Sequence, residues 1–241
     1  MRISARIVMS LALFLVPCLH AQMMQQVVVN SPAPVAGGSI TVIQGGTSTT
    51  VKHVTPGSGT LTLAFPTNPG AGHLLVYLLS QSSGAAVTCP TDNNGNTIAT
   101  AKAGTTNGII CYVASSNSGA TTVSKVTGGN DTFVSIWEIS LGHSATVDQS
   151  GTSTATSTSQ TVSTSSPTTQ ANEISLAEFF DQSTNSSITL GSGYTGNSDL
   201  GSSGSESMAS GYKIVSATGT QTATATIGAS DSCFNIIATF Y

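Results

Sequence analysis

The sequence predicts an all-β protein, an antiparallel β-sandwich. Three observations lead there. Beyond the first 21 residues no stretch repeats apolar side chains at the i, i+3, i+4, i+7 spacing of a helix face. Short apolar runs instead recur between Gly, Pro, Asn and Ser breaks, the pattern of sandwiches and barrels. The breaks also carry turn chemistry, as in Asp92-Asn93-Asn94-Gly95-Asn96, where Asn-Gly tolerates positive φ.

Taken in order, the runs predict strands at Gln26–Val29, Ser39–Ile43, Thr49–His53, Thr60–Phe65 and Leu74–Gln81. Leu74 to Leu79 is continuously apolar, which predicts a strand covered on both faces. Ala86–Thr88, Thr97–Ala101, Ile109–Ala114 and Thr121–Val126 follow, then Thr132–Ser140, which alternates around Trp137 and Glu138. Thr146–Gln149 precedes a Ser/Thr-rich stretch, Ser150 to Thr169, within which Gln160–Ser163 is a further predicted strand. The composition of the stretch fits a mucin-like linker, but alternation around Val162 favours exposed Thr-rich strands. Ile174–Phe180, Ser187–Leu190, Met208–Ile214, Gln221–Ile227 and Phe234–Tyr241 complete the set.

An internal echo refines the architecture. Phe65-Pro66-Thr67-Asn68-Pro69-Gly70-Ala71-Gly72-His73 leads into Leu74, and Pro167-Thr168-Thr169-Gln170-Ala171-Asn172-Glu173 leads into Ile174. Each is a turn followed by an apolar strand. Two similar halves of this kind predict a jelly-roll-like sandwich, a single domain over 49–241 with an N-terminal extension or edge strand over 22–48.

Residues 1–21 read as a signal peptide. Arg2 and Arg6 form the basic region, Ile7 to Leu19 the apolar run, and Leu19-His20-Ala21 the cleavage site. The run is shorter than the ~20 residues of a spanning helix, so no transmembrane segment is expected in the mature chain. The expected location is secreted or cell-surface. Charged residues make up 7% of the chain, against ~25% in ordinary soluble domains. After cleavage ten acids face four lysines, a net charge near −6. That balance gives nucleic acid no basic patch to bind. The surface is expected to be solvated by Ser, Thr and Asn.

The order of motifs resembles a group of secreted bacterial jelly-roll β-sandwich proteins. It runs through Gly72-His73-Leu74-Leu75-Val76, Asp92-Asn93-Asn94-Gly95-Asn96-Thr97, Cys111-Tyr112-Val113-Ala114 and Ser135-Ile136-Trp137-Glu138-Ile139-Ser140. It continues through Gly191-Ser192-Gly193-Tyr194-Thr195 to Ile236-Ile237-Ala238-Thr239-Phe240, and the resemblance covers about Val51 to Tyr241. The resemblance implies the fold and export, and no particular activity. Cys111 and Cys233 stand where that pattern usually carries Trp. A disulfide between Cys111 and Cys233 is what the two replacements imply; the cysteine spacing alone leaves the pairing among Cys89, Cys111 and Cys233 open.

Candidate chemistry is sparse. No G-x-S-x-G nucleophile elbow is present. Glu138, Glu173, Glu178 and Asp181 are the candidate acids for a glycosidase, which needs two carboxyl groups facing one cleft. Strand periodicity places Glu138 opposite Trp137 and Glu173 opposite Glu178, so the plainer expectation is edge charges that discourage aggregation. Asp92, Asn94 and Asn96 are the candidate oxygen ligands for calcium, although the loop lacks EF-hand spacing. No other cofactor is expected. Tyr194 and Tyr212, in Gly/Ser-rich surroundings, are the candidate stacking platform for a sugar.

The sequence thus points first to an extracellular, non-catalytic sandwich with a structural, adhesive or matrix role. Its partners would be polysaccharide or a second copy reached through the N-terminal extension. A carbohydrate-binding module is the alternative, and a glycoside hydrolase the third reading.

Overall fold

The computed structural model of the chain describes residues 38–54, 59–82, 86–104, 106–182, 186–197 and 206–241. The expected signal peptide, the extension as far as residue 37 and the strand expected at Gln26–Val29 lie outside them. Every regular element among the described residues is a strand, and all pairings are antiparallel. The molecule is a β-sandwich, as the alternation and turn signals predict.

The first half comprises β1 (Thr41–Gln44), β2 (Val51–Val54), β3 (Thr60–Ala64), β4 (Leu74–Gln81), β5 (Thr91–Asp92), β6 (Ala99–Ala103), β7 (Gly108–Val113), β8 (Thr122–Val126) and β9 (Thr132–Ser140). One sheet runs β1-β9-β4-β7-β6, with β2 also on β9, and a small sheet runs β3-β8-β5. The second half comprises β10 (Val147–Ser163), β11 (Glu173–Asp181), β12 (Ile188–Leu190), β13 (Thr195–Asn197), β14 (Ser207–Val215) and β15 (Thr222–Phe240). Its sheet runs β10-β15-β11-β14-β13, with β12 on β15.

β10 and β15 are each two strands joined by a bend. The register of their ladder shifts between Ser157 and Ser159. Past that point β10 folds back over its own first part: Ser153 Oγ donates to the Thr161 carbonyl at 2.6 Å, and a Cβ on Gly151 would meet the Ser163 carbonyl oxygen at 1.9 Å. Only glycine permits that approach. Residues 159–163, 222–227 and 188–190 therefore form an outer layer, and residues 147–157 and 231–240 remain in the central sheet.

With the bends recognised, the two halves have one topology. Counting β1 and β2, which both pair with β9, as one strand, and each bent strand of the second half as two, the first, eighth, third, sixth and fifth strands of each half form one sheet and the second, seventh and fourth the other, which is the jelly-roll order. The register repeats as well. Leu75 pairs with Val113 and Ser175 with Lys213, both residues displaced by 100. Gly72 (φ 79°) and Asn172 (φ 60°) hold the same left-handed turn before the third strand, a position that suits Gly and Asn. The internal echo is thus a jelly roll that occurs twice.

The layers stack so that each central sheet is covered on both faces. Leu75, Tyr77, Leu79, Val134 and Ile136 pack under β3-β8-β5. Leu74, Val76, Phe133, Trp137 and Ile139 pack against Leu176, Phe180, Ile236 and Phe240 of the second half. Ala177, Phe179, Cys233 and Ile237 pack under Val162, Ala223, Ala225 and Ile227 of the outer ribbon. The continuous burial of β4, β9 and β11 follows from this double covering. Each fully buried large apolar side chain there contributes about 2 kcal/mol of transfer free energy.

The layering also corrects the cysteine pairing. Cys89 is joined to Cys111, with Cα atoms 5.7 Å apart, and Cys233 is a buried free thiol. A Cys111–Cys233 bond is excluded by the fold. Cys111 faces the outer core of the first half and Cys233 that of the second, with the two central sheets and their shared core between them.

Candidate functional site

The acids are the largest departure from expectation. Glu138, Glu173, Glu178 and Asp181 are not edge charges; all four are buried. Their neighbours differ. They occupy separate places in the layers, and each has its own chemistry.

Glu138 lies on β9, on the face opposite Trp137 as the alternation predicts. Its Oε1 accepts from the Gly70 backbone N–H at 2.8 Å and lies 2.6 Å from His73 Nδ1. Gln44 Nε2 donates to its Oε2 and, at 2.9 Å, to the Thr67 carbonyl. Gln44 Oε1 accepts from the Thr67 N–H at 3.1 Å. One carboxylate thus ties β1, the loop before β4 and β9 together. The His73 side chain is 26% exposed while Glu138 is 1% exposed. His73 borders an open depression of about 290 Å³, shared with Ser115, Ser140, His143 and Ser144. A carboxylate orienting a histidine beside a depression resembles acid–base machinery; His53 and Asp131 form a second histidine–carboxylate pair, with Nε2 and Oδ1 2.9 Å apart. Sequence reasoning missed the His73–Glu138 pairing because 65 residues separate the partners and neither stands in a local motif.

Glu178 sits in the core between the two halves. Ser80 Oγ, from β4 of the first half, donates to its Oε1. Its Oε2 has no hydrogen-bond partner among the described residues. Nearby across the same seam, the Ser135 and Ser210 hydroxyls lie 2.8 Å apart. Ser135 pairs with Leu78 and Ser210 with Glu178. Burial pushes the Glu178 carboxyl up to about 8, only partly offset by the Ser80 bond, so it is protonated at neutral pH. Glu173 is likewise pushed up to about 8, by burial and by the neighbouring Asp148 carboxylate. For Asp148, burial acts upward but is outweighed by the Thr169 N–H and hydroxyl, which hold it below its usual range. Among the described residues no group of three or more His, Cys, Asp or Glu is placed to hold a metal ion.

The calcium candidates form a closed turn. Asp92 Oδ1 accepts from the backbone N–H groups of Asn94 and Asn96 at 2.9 and 3.3 Å, and its Oδ2 from Asn96 Nδ2 at 3.0 Å. Asn96 Oδ1 accepts from the Asn117 N–H at 2.7 Å, and Asn94 Nδ2 donates to the Asn117 carbonyl and Thr121 Oγ1, both at 3.1 Å. The oxygens point at amides of the loop they stabilise.

The sugar-platform candidates are both half-buried. Tyr194 packs on the outer core of the second half and pairs its hydroxyl with Ser175 Oγ at 2.7 Å. Burial pushes that phenol up to about 12. Tyr212 packs on the shared core, edge-on to Trp137 with centroids 5.7 Å apart. The structure does not bring the two rings into one plane; they serve different cores.

No protein-family model, curated protein or solved structure matches this chain. Among the described residues no helix is long and apolar enough to cross a membrane.

What the exterior presents is hydroxyl. On β10 the residues Thr152, Thr154, Thr156 and Thr158 are exposed, and on β15 Thr222, Thr224 and Thr226 alternate with buried Ala223, Ala225 and Ile227. Large exposed apolar side chains are scattered as Ile43, Val126 and Ile214.

Proposed function

We propose that this chain is an extracellular, non-catalytic β-sandwich with a structural or adhesive role. The observation that carries the reading is the inward placement of the reactive and aromatic groups. The four acids are buried, the candidate tyrosines pack on cores, and a neutral Ser/Thr surface faces solvent. The Cys89–Cys111 disulfide supports an oxidising compartment. The near absence of charge supports a surface whose contacts are insensitive to salt.

A polysaccharide panel tests the reading against its rivals. The purified chain is assayed for retention on insoluble and immobilised glycans, with and without calcium, and for release of reducing ends. The expected result is neither retention nor release. Specific retention lost in a Tyr194→Ala plus Tyr212→Ala variant would establish a carbohydrate-binding module. Sugar release lost in Glu138→Gln would establish a hydrolase working through the His73–Glu138 pair.

A further inference from the structure

The outer ribbon of the second half carries a two-dimensional hydroxyl array. Thr222, Thr224 and Thr226 point outward from β15, and the neighbouring strand sets Ser163 opposite Thr222 and Thr161 opposite Thr224. On the other side Thr189 of β12 stands opposite Thr226. The inward positions between them are Val162, Ala223, Ala225 and Ile227, all buried. The layer is therefore anchored from below while its outer face is open to solvent.

Backbone pairing fixes the spacing of this array. Rows repeat about 4.8 Å apart across the strands and about 6.8 Å apart along them. Threonine is stiff at χ1, so each methyl and hydroxyl is held in place before anything binds. One neighbouring pair already shows the order: the Ser163 and Thr222 hydroxyls lie 2.8 Å apart.

The chemistry of the face selects its partner. No Asp, Glu, Lys or Arg occurs in residues 159–165, 188–190 or 220–227, so a charged partner finds no complement there. No aromatic side chain occurs in those segments, so a sugar ring finds no stacking surface. What remains is a neutral lattice of hydroxyl and methyl groups at fixed repeats. Its complement is an equally periodic neutral lattice of hydrogen-bonding oxygens. Hexagonal ice presents oxygen rows with repeats close to these two distances on its prism faces.

We propose that this ribbon is an ice-binding face. Water ordered over the threonine methyls and bonded to their hydroxyls joins the crystal surface, and the chain adsorbs there. The face stands apart from the structural role argued above and does not depend on it. The equivalent layer of the first half supplies an internal control. There Thr60 stands opposite Val126 and Ala64 opposite Thr122, and the Lys52 ammonium bonds the Thr62 carbonyl at 2.9 Å. The hydroxyl lattice is interrupted.

The test is partition of the fluorescently labelled full chain into a slowly growing ice hemisphere, with crystal shape followed in parallel. The expected result is enrichment in ice over a non-binding control protein, with faceted crystals. Thr161→Tyr places a ring across the array and is expected to reduce partition to the control level. Thr224→Val keeps the shape, removes one hydroxyl and is expected to weaken partition partially. Thr62→Tyr, on the first-half layer, is expected to partition as the parent does. Thermal unfolding of each variant confirms that the fold is retained. Partition of the parent no greater than that of the control protein would overturn the proposal. So would equal losses in folded Thr161→Tyr and Thr62→Tyr.

Discussion

Glu178 gives the sharpest energetic prediction. Its carboxyl is fully buried between the two halves, and its pKa rises from an ordinary 4.5 to about 8. Between those two values the folded chain holds a proton that the unfolded chain has released. Stability must then fall as pH rises through that window and level off above it. At pH 7 the carboxyl lies roughly 2.5 units above its unfolded pKa and below its folded one, a cost of about 3 kcal/mol at ~1.4 kcal/mol per unit. At pH 5 the same reasoning gives about 1 kcal/mol. Glu178→Gln removes the ionisation and retains an oxygen for Ser80. Any constant cost of the amide cancels when the two pH profiles are compared. Urea unfolding of parent and variant at pH 5, 6, 7 and 8 reads the difference. The variant is expected to gain about 2 kcal/mol relative to the parent between pH 5 and pH 7. Parallel profiles would refute the placement of a neutral acid in the seam.

Other perturbations probe separate parts of the account. Replacing Cys89 and Cys111 by Ser opens a loop spanning 22 residues and is expected to cost about 3 kcal/mol, read as a lower urea midpoint; Cys233→Ser is expected to leave the non-reducing disulfide map unchanged. Gly151→Ala sets a methyl group against the Ser163 carbonyl and is expected to destabilise by about 2 kcal/mol, with increased hydrogen exchange across residues 159–163. Glu138→Ala removes the acceptor for Gly70, His73 and Gln44, a buried network, and is expected to cost about 3 kcal/mol and to increase exchange at Gly70. Tyr212→Ala strips a half-buried ring from Trp137 and is expected to lower stability by about 2 kcal/mol, visible in Trp fluorescence.

Much of the fold is legible in the residues. Leu74–Gln81 and Thr132–Ser140 are strands with the predicted bounds, because their apolar runs end at clear breaks. The Ser/Thr-rich stretch is strand as far as Ser163, as its alternation around Val162 indicates, and residues 164–169 are irregular. β5 and β13 are too short and polar to register as strands, and Ala86–Thr88, expected as a strand, is irregular. β10 and β15 read as pairs of strands because Gly, Ser and Asp near their centres look like turns. The chain bends there without leaving its ladder partner.

The site was less legible for a physical reason. An acid in a strand reads as an edge charge when layers are counted as two. Here central sheets are covered on both faces, so either face buries what it carries. The warning lies in Glu173-Ile174-Ser175-Leu176-Ala177-Glu178-Phe179-Phe180-Asp181, where apolar residues occupy both faces of one strand. Tyr194 and Tyr212 look exposed among Gly and Ser because the cores they cover come from distant strands. The Cys89–Cys111 bond was hidden for the same reason. Cys89 lies in an irregular segment, and only the layer order shows which face Cys111 uses.

A structural role outside the cell is tested directly in the producing organism. Cells lacking the chain are compared with the parent for attachment to inert surfaces, and the protein is located by fractionation. The expected result is protein in the extracellular or surface fraction, weaker attachment in its absence at unchanged growth, and full rescue by chains carrying His73→Gln. Protein confined to the cytosol, unchanged attachment, or rescue that fails only when folded His73→Gln replaces the parent would contradict it.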